Sequence, residues 1–253
     1  MTPQLINGFW LSPDQRIGPW HIAGGTVTQA QKDNANAIKS FFVDQQGWTL
    51  NAVCAMLGNM MGESTLNPAF IQQTNRWRLP NSASDLSDVP NSVMQNFYKE
   101  YYGVSSRAFG VGLVQWDGYT ESAGVRRQKM VNYAIVNNIN WYDGWTQLYR
   151  LHFEQQNDQL YDRTDFFKPV RYSGVTYTFS NFPFSTETPE LLAEAFTTGY
   201  ERNAGGAGFR PANARYWYEF FTDPNAPPVI PPQDFLQPLP ADPYEPPFDP
   251  DNP

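Results

Sequence analysis

The chain has 253 residues, 41% of them hydrophobic, and a formal net charge of −8 at pH 7. This length predicts one large domain or one domain with appendages. Residues 223–253 hold six acidic residues and no basic ones, so the remainder is nearly neutral and nothing indicates a nucleic-acid partner. No apolar run approaches the length of about 18 residues that a transmembrane helix needs, so membrane insertion is not expected.

Cysteine and histidine are too few and too scattered to suggest a disulfide or a metal site. Cys54 is the sole cysteine, which excludes an intrachain disulfide, and its apolar neighbours in the sequence indicate a core residue. His21 and His152 are far apart, with no Cys or His clustered near them. We therefore expect no metal and no cofactor. The N-terminus has neither a basic start nor a long apolar stretch, so no secretory signal is expected.

The N-terminal quarter of the chain predicts an arm followed by two helices. Residues 1–25, rich in Pro, Gly and turn-forming residues, predict an irregular arm. Thr28 and Gln31 fit a capping box at the start of a helix with an apolar stripe, and Gly47 is a stop signal. Helical spacing of apolar residues predicts the second helix from about Leu50 to Gly62.

Glu63 follows this second helix, just before a chain turn at Asn67-Pro68. It is therefore expected near a helix C-terminus and partly among apolar groups. Both settings disfavour the ionised carboxylate, because the helix dipole is negative at that end and burial removes water. A carboxyl group that keeps its proton near neutral pH is what a general acid for glycoside cleavage needs. Asn59, one helical turn earlier on the same face, could orient the acid, bind a sugar acetamido group or simply pack.

A second segment, Gly110 to Trp116, is a glycine-spaced apolar run that ends in an amide and an indole. Gln115 can donate and accept hydrogen bonds, and Trp116 can stack on a sugar face, so both are predicted to bind substrate. The polar turn that follows favours partial exposure of Trp116. Residues 71–108, which precede this segment, either wall a sugar groove or form a plain surface excursion.

The elements that follow are mainly helical. Helices are expected over residues 121–138, from Asp143 to about Gln156, from Thr188 onward and from about Ala212 to Phe221, with a short hairpin over residues 171–179. The glycine-rich stretch from Asn203 to Gly208 lacks the spacing of a nucleotide-binding loop and is interpreted as a connection.

The C-terminal residues 223–253 contain 12 prolines among 31 residues. Such a composition favours an extended, polyproline-like segment and cannot form a packed core. Its scattered aromatic residues suggest that it straps onto this protein or another one, and a plain flexible linker is the open alternative.

Taken in order, these segments resemble the phage tail lysozyme family of the lysozyme superfamily. The matching elements are Thr28-x-x-Gln31-x-x-Asn34-Ala35-x-x-Ile38, Gly47-Trp48-Thr49, Gly58-Asn59-Met60, Glu63-Ser64-Thr65-Leu66-Asn67-Pro68, Gly110-x-Gly112-Leu113-Val114-Gln115-Trp116 and Tyr200-Glu201-Arg202. The ordered set is specific and spans roughly residues 26–221.

The resemblance implies a mainly α (α+β) fold, in which residues 26–222 form a lysozyme-like helical domain with a small β-hairpin element. Residues 223–253 would be an extended Pro-rich tail. It further implies a peptidoglycan-cleaving enzyme of a bacteriophage tail, made in the host cytoplasm and acting at the host cell wall. Glu63 matches the family's catalytic Glu, and Ser64 beside it is assigned to substrate binding. Other tail proteins are expected partners, with residues 223–253 as a candidate contact.

Glycoside hydrolases commonly use a second catalytic carboxylate, and the sequence offers three candidates for it. Asp117 is the best candidate because it directly follows the Gln-Trp element, and Glu121 and Glu201 are alternatives. A turn role for Asp117 and an ion pair of Glu201 with a nearby arginine stay open.

Three functions are compatible with these residues. The first is a lysozyme that hydrolyses a muramic acid–glucosamine bond. The second is a lytic transglycosylase that uses the same Glu63, and the third is a non-catalytic structural or wall-binding tail protein.

Overall fold

The structure of the chain is a computed structural model. It describes residues 4–6, 9–11, 27–70, 91, 110–116, 126–157, 166–203 and 206–223. Apart from Asn91 and Asp223, the predictions for residues 71–108 and for the extended tail therefore lie outside the described residues. The predictions for Asp117 and Glu121 lie outside them as well.

Helices make up most of the described part of the chain. In chain order they are α1 (Gln29–Lys39), α2 (Leu50–Ser64), α3 (Arg126–Val136), α4 (Gly144–Gln156), α5 (Pro189–Phe196) and α6 (Arg210–Thr222). Two antiparallel hairpins pair β1 (Gln4–Ile6) with β2 (Phe9–Leu11), and β3 (Val170–Tyr172) with β4 (Val175–Tyr177). The predicted fold class, mainly α with a small β-hairpin element, is confirmed.

The first helix begins where the sequence predicts. Thr28 Oγ1 accepts a hydrogen bond from the Gln31 backbone N–H at 3.2 Å, and Gln31 Oε1 accepts one from the Thr28 N–H at 2.9 Å, which completes the capping box. A π-helical turn, Ser40–Gln45, prolongs α1. Gly47 then adopts a φ of +72°, a left-handed conformation that favours glycine, so the predicted stop is confirmed.

The second helix, α2, is the buried centre of the domain. Thr49 caps it by accepting a hydrogen bond from the Ala52 N–H at 3.2 Å, and the helix runs on past the predicted end to Ser64. Most of its residues are buried, including Cys54, which is a core residue as predicted. Burial raises the pKa of the Cys54 thiol, which keeps it protonated and unreactive.

The last helix, α6, begins earlier than the sequence suggests. The prediction placed its start at about Ala212, whereas it begins at Arg210 with Pro211 in its first turn. Proline is tolerated there because the first N–H groups of a helix have no intrahelical acceptor. The earlier start brings Arg210 into the helix and places it against the end of α2.

A buried charged cluster ties α3 and α4 to the π-helical turn Thr197–Glu201, which follows α5. Glu154 accepts hydrogen bonds from Arg150 Nε at 3.2 Å and from the Tyr200 hydroxyl at 2.5 Å, and Arg126 Nη2 lies 3.6 Å from the same carboxylate. Glu154, Arg150 and Tyr200 are fully buried, and this burial raises the pKa of Tyr200 well above its usual value. The sequence left open an ion pair of Glu201 with a nearby arginine, which stays a prediction. In the structure, Glu154 makes such contacts.

The sequence predicted one of the two hairpins and missed the other. The β3–β4 hairpin is confirmed, and its turn places Ser173 and Gly174 at φ of +49° and +84°, as in the turns that suit the twist of paired strands. The β1–β2 hairpin lies within residues 1–25, which were predicted to be irregular. The sequence carries a signal that the prediction overlooked, because Asn7-Gly8 between two apolar pairs is typical of two-residue hairpin connections.

Candidate active site

Glu63 lies in the last turn of α2, as the sequence predicted. Its side chain is 20% exposed, so the carboxylate reaches the surface while most of it is covered. Arg210, the first residue of α6, donates a hydrogen bond from Nη2 to Oε1 of Glu63 and forms an ion pair with it. The expected apolar setting is therefore incomplete, because a cation lies directly beside the carboxylate.

Glycine residues on α2 permit this pairing. A side chain at Gly58 would come within 2.5 Å of the Arg210 carbonyl oxygen and 2.7 Å of the Ala214 backbone nitrogen. Only glycine lets the first turn of α6 pack this closely against α2. Gly62, one helical turn later, faces the aliphatic part of the Arg210 side chain, where an added Cβ would lie 3.4 Å from Cγ. The two helices thus bring the guanidinium to the carboxylate.

Side-chain amide groups on α1 hold the backbone that follows Glu63. Thr65 and Leu66 have φ of +55° and +62°, a left-handed conformation that is unusual for residues other than glycine. Gln31 Nε2 donates to the Thr65 carbonyl at 3.3 Å, and Asn34 Nδ2 donates to the Leu66 carbonyl at 2.8 Å. These two α1 side chains therefore fix the sharp turn behind the carboxylate. This contact is a physical reason for Gln31 and Asn34 to be among the residues that match the family pattern.

The Gly110 to Trp116 segment lies next to the end of α2. Ser64 Oγ is 2.9 Å from the Leu113 carbonyl and 3.0 Å from the Met60 carbonyl, so its hydroxyl links the two segments. Gln147 on α4 holds the segment from the other side. Its Oε1 accepts from the Leu113 N–H at 2.8 Å and its Nε2 donates to the Pro68 carbonyl at 2.8 Å. The sequence did not identify Gln147, whose partners are distant along the chain.

Three of the predicted substrate-binding residues are enclosed by the protein. Trp116 is 1% exposed and belongs to the core, so its predicted partial exposure is wrong. Its backbone N–H and C=O pair with Val111 in a narrow bridge, which turns the indole inward. Ser64 is fully buried, and its hydroxyl is used in the contacts above. In this structure neither side chain presents a surface to a sugar.

Asn59 is the third enclosed residue. Its Nδ2 donates to the carbonyls of Ala55 at 2.9 Å and Ala193 at 3.2 Å, and its Oδ1 accepts from Thr197 Oγ1 at 2.7 Å. It is fully buried between α2 and the end of α5. Of the roles that the sequence left open for Asn59, the structure supports packing.

Gln115 is the predicted binding residue that stays partly accessible. It has a φ of +51°, and its Nε2 donates to the Gly112 carbonyl at 3.0 Å. Asp117, two residues after Gln115, lies outside the described residues, so its catalytic role stays a prediction.

Two surface clefts of the described residues are lined by residues other than Glu63. One is lined by the β3 region and by residues that follow α5, including Lys168, Arg171 and Arg202. The other lies between the starts of α2 and α5 and the last turns of α6.

A partly covered glutamate at the end of a buried central helix, next to a glycine-rich turn, defines a lysozyme-like helical domain. The chain belongs to the phage tail lysozyme family, whose model matches residues 33–221. It is also similar to Morphogenesis protein 1 of Bacillus phage B103, with 28% identity over 190 residues. The match covers 75% of this chain and 39% of that protein, so the chain spans well under half of the relative's length.

Two further findings concern only the described part of the chain. It holds no helix that is long and apolar enough to cross a membrane. Within the same residues, no group of three or more His, Cys, Asp or Glu side chains is arranged to hold a metal ion.

Proposed function

We propose that this chain is a phage tail-associated peptidoglycan hydrolase, a lysozyme that cleaves the glycan backbone of the host cell wall. The observation that carries this proposal is the position of Glu63, a partly exposed carboxylate at the end of the buried helix α2 in a phage tail lysozyme domain. Glu63 donates a proton to the glycosidic oxygen of the leaving sugar, which is general acid catalysis.

The ion pair with Arg210 has to open before Glu63 can act on a substrate. While the guanidinium contacts Oε1 of Glu63, it occupies the carboxylate that has to reach the glycosidic oxygen. We propose that a bound sugar displaces the guanidinium and excludes water from the carboxyl group.

Two further residues are assigned by proposal. Gln115, which stays partly accessible beside the Gly112 turn, would hydrogen-bond a sugar substituent. Asp117 would serve as a second carboxylate, either as nucleophile or as the base that activates water. Neither assignment requires a metal or an organic cofactor.

The biological setting is also a proposal. The family is one of phage tail proteins, and the relative from Bacillus phage B103 is named a morphogenesis protein. We propose that this chain is a virion component of the tail that acts on the host cell wall during entry. In this scheme residues 26–222 form the catalytic domain, residues 1–25 form an arm, and residues 223–253 contact other tail proteins.

Mass spectrometry of purified peptidoglycan after digestion tests the proposal. Fragments with reducing muramic acid ends are expected for a lysozyme. Anhydro-muramic acid ends would assign the chain to the lytic transglycosylases, which would use the same Glu63. Intact glycan after digestion, from a folded protein, would favour the structural or wall-binding alternative that the name of the relative also allows.

A further inference from the structure

A cationic cleft lies between β3 and the π-helical turn Thr197–Glu201. Its lining includes Lys168, Arg171, Tyr172, Thr198 and Arg202. The three cations are exposed, and no acidic residue is among the described residues that line the cleft. Its volume is about 480 Å³, which is in the range of clefts that hold small ligands. The cleft thus gathers positive charge on a chain whose net charge is −8.

Contacts between the strand and the turn fix the shape of the cationic cleft. The Lys168 N–H donates to the Gly199 carbonyl at 2.9 Å, and the hydroxyl oxygens of Tyr172 and Thr198 are 2.7 Å apart. Gly199 permits this close approach, because a side chain there would lie 2.3 Å from Cε1 of Phe167. The cleft is therefore formed without a ligand, which lowers the cost of binding one.

Lys168 and Arg171 carry charges that the described part of the protein does not neutralise. Neither side chain forms an ion pair with any described residue. The second cleft differs in this respect, because its arginine, Arg215, pairs with Glu190 and Glu219 in the lining of the same cleft. Of the two clefts, the cationic cleft is therefore the one with positive charge available for a ligand.

The donors of the cationic cleft suit an oxyanion. A lysine ammonium group has three N–H donors, and an arginine guanidinium group has a planar fork that matches a carboxylate or a phosphate. In the pair of Tyr172 and Thr198, one hydroxyl donates to the other, so the accepting hydroxyl keeps its own proton for a ligand. Charged and neutral donors therefore line the same cleft.

We infer that the cationic cleft binds an oxyanion of the host cell wall. The oxyanion is either a carboxylate of the peptidoglycan stem peptides or a phosphate of a polymer attached to the peptidoglycan. This inference rests on the proposed function, because that function makes the cell wall the ligand. The sequence did not single out the cleft, since its residues come from segments that are distant along the chain.

The cationic cleft is linked to the candidate active site through α2. Thr197, which precedes Thr198, donates from Oγ1 to Asn59 Oδ1 at 2.7 Å, and Asn59 lies one turn before Glu63. One helical turn, two hydrogen-bonded side chains and one peptide step limit the distance between the Thr198 and Glu63 Cα atoms to about 20 Å. A glycan strand of several sugars with its substituents is long enough to contact both.

The experiment measures binding of the full chain to insoluble Bacillus cell wall by sedimentation, because the relative comes from a Bacillus phage. The parent is Glu63→Gln protein, which is expected to bind without cleavage. The cleft variant adds Lys168→Gln and Arg171→Gln to this parent, and the control variant adds Lys39→Gln and Arg215→Gln.

Both variants lose two positive charges, but Lys39 and Arg215 lie outside the cationic cleft and are paired with carboxylates. At low salt we expect the cleft variant to raise the Kd about five- to tenfold, the scale of two exposed ion pairs. The control variant should leave the Kd unchanged. The difference between the two variants should shrink at high salt, which screens exposed charges.

Two treated walls identify the oxyanion. Hydrofluoric acid removes the phosphate polymers, and subsequent carbodiimide coupling to methylamine converts the carboxylates of the remaining peptidoglycan into neutral amides. If the difference between the variants is lost after the acid step, the ligand is a phosphate. If it is lost only after the coupling step, the ligand is a carboxylate. A difference that persists on the wall without either anion would overturn the inference.

Equal Kd values for the cleft and control variants on untreated wall would also overturn it, and so would an absence of saturable binding by the parent. Single Lys168→Gln and Arg171→Gln variants, each expected to raise the Kd about two- to threefold, cover the case in which the cleft variant does not fold. Fragment release by the chain with Glu63 intact separates this inference from the proposed function. Cleft-dependent binding without any cleavage would refute the hydrolase and retain the cleft, whereas cleavage with equal affinities would do the reverse.

Discussion

Arg210 and Glu63 form an ion pair between two helix ends, each of which is electrostatically unfavourable for the charge it carries. Glu63 lies at the C-terminal end of α2, where the helix dipole is negative, and Arg210 lies at the N-terminal end of α6, where it is positive. Their contact offsets both penalties, and both side chains are largely covered, at 20% and 13% exposure. The pair therefore stabilises the resting arrangement of the site, and a bound substrate has to open it.

The first prediction concerns cleavage when this arginine is neutralised. Arg210→Gln removes the cation that a bound sugar has to displace from Glu63, so the KM of peptidoglycan cleavage should fall relative to the wild type. The measurement is the KM with purified peptidoglycan. Arg215→Gln is the matched control, because Arg215 lies on the same helix, is 67% exposed and pairs with Glu190 and Glu219. An unchanged or higher KM for Arg210→Gln would refute this role.

A second prediction concerns the packing of α6 on α2. Gly58→Ala places a methyl group 2.5 Å from the Arg210 carbonyl oxygen and 2.7 Å from the Ala214 backbone nitrogen. Backbone atoms cannot yield by side-chain rotation, so we expect a loss of about 1–3 kcal/mol in the free energy of unfolding. Gly62→Ala meets only the flexible Arg210 side chain, at 3.4 Å, and removes a helical glycine. It should be neutral or stabilising by up to about 1 kcal/mol. Chemical denaturation measures the free energy of unfolding of both variants. Equal values for Gly58→Ala and Gly62→Ala would show that α6 does not pack closely against α2 at Gly58.

The third prediction revises the expected role of Trp116. Because the indole is 1% exposed, Trp116→Ala should leave a cavity and lower the free energy of unfolding by about 3–5 kcal/mol. The sequence had suggested weaker glycan binding with little change in melting. Thermal unfolding distinguishes the two interpretations, because an unchanged melting temperature in Trp116→Ala would show that the indole does not contribute to the core.

Trp116 and Arg210 also show how far the sequence alone can lead. The capping box of α1, the end of α2 near Glu63 and the Ser-Gly hairpin follow from local rules, and each was predicted. The inward turn of Trp116 depends on its bridge to Val111, and the position of Arg210 depends on the fit of α6 against Gly58. Both are contacts between segments, which helical spacing and turn propensities do not encode. The Asn7-Gly8 signal was local and was overlooked.

The fourth prediction concerns the stability of the domain in acid. His152 is buried on α4 beside the Phe41 ring, and this loss of solvation lowers its pKa from 6.5 to about 4. The unfolded chain therefore takes up a proton at higher pH than the folded one. Stability from the neutral imidazole is fully present above pH 6.5 and is lost as the pH falls toward 4, by on the order of 2 kcal/mol.

The control for this effect is His152→Leu, which cannot titrate at this position. The difference in free energy of unfolding between wild type and His152→Leu should change between pH 7 and pH 4, while the carboxylates common to both proteins cancel. A difference that is constant over this range would show that His152 is protonated as readily in the folded chain as in the unfolded one.

The central claim is that Glu63 supplies the proton for glycan cleavage. Glu63→Gln keeps the shape of the side chain but cannot donate that proton, so the rate should fall by about 10²–10⁴-fold or more. Glu219→Gln, at a 69% exposed glutamate on α6, should retain full activity. Asp117→Asn should be equally severe if two carboxylates act and milder if Glu63 acts alone.

The most direct test is the rate of fragment release from purified peptidoglycan by folded Glu63→Gln protein, followed by mass spectrometry beside wild type. We expect fragments with newly formed muramic acid ends from the wild type and almost none from the variant, although the variant still binds the wall. Release by Glu63→Gln at a rate close to that of the wild type would contradict it.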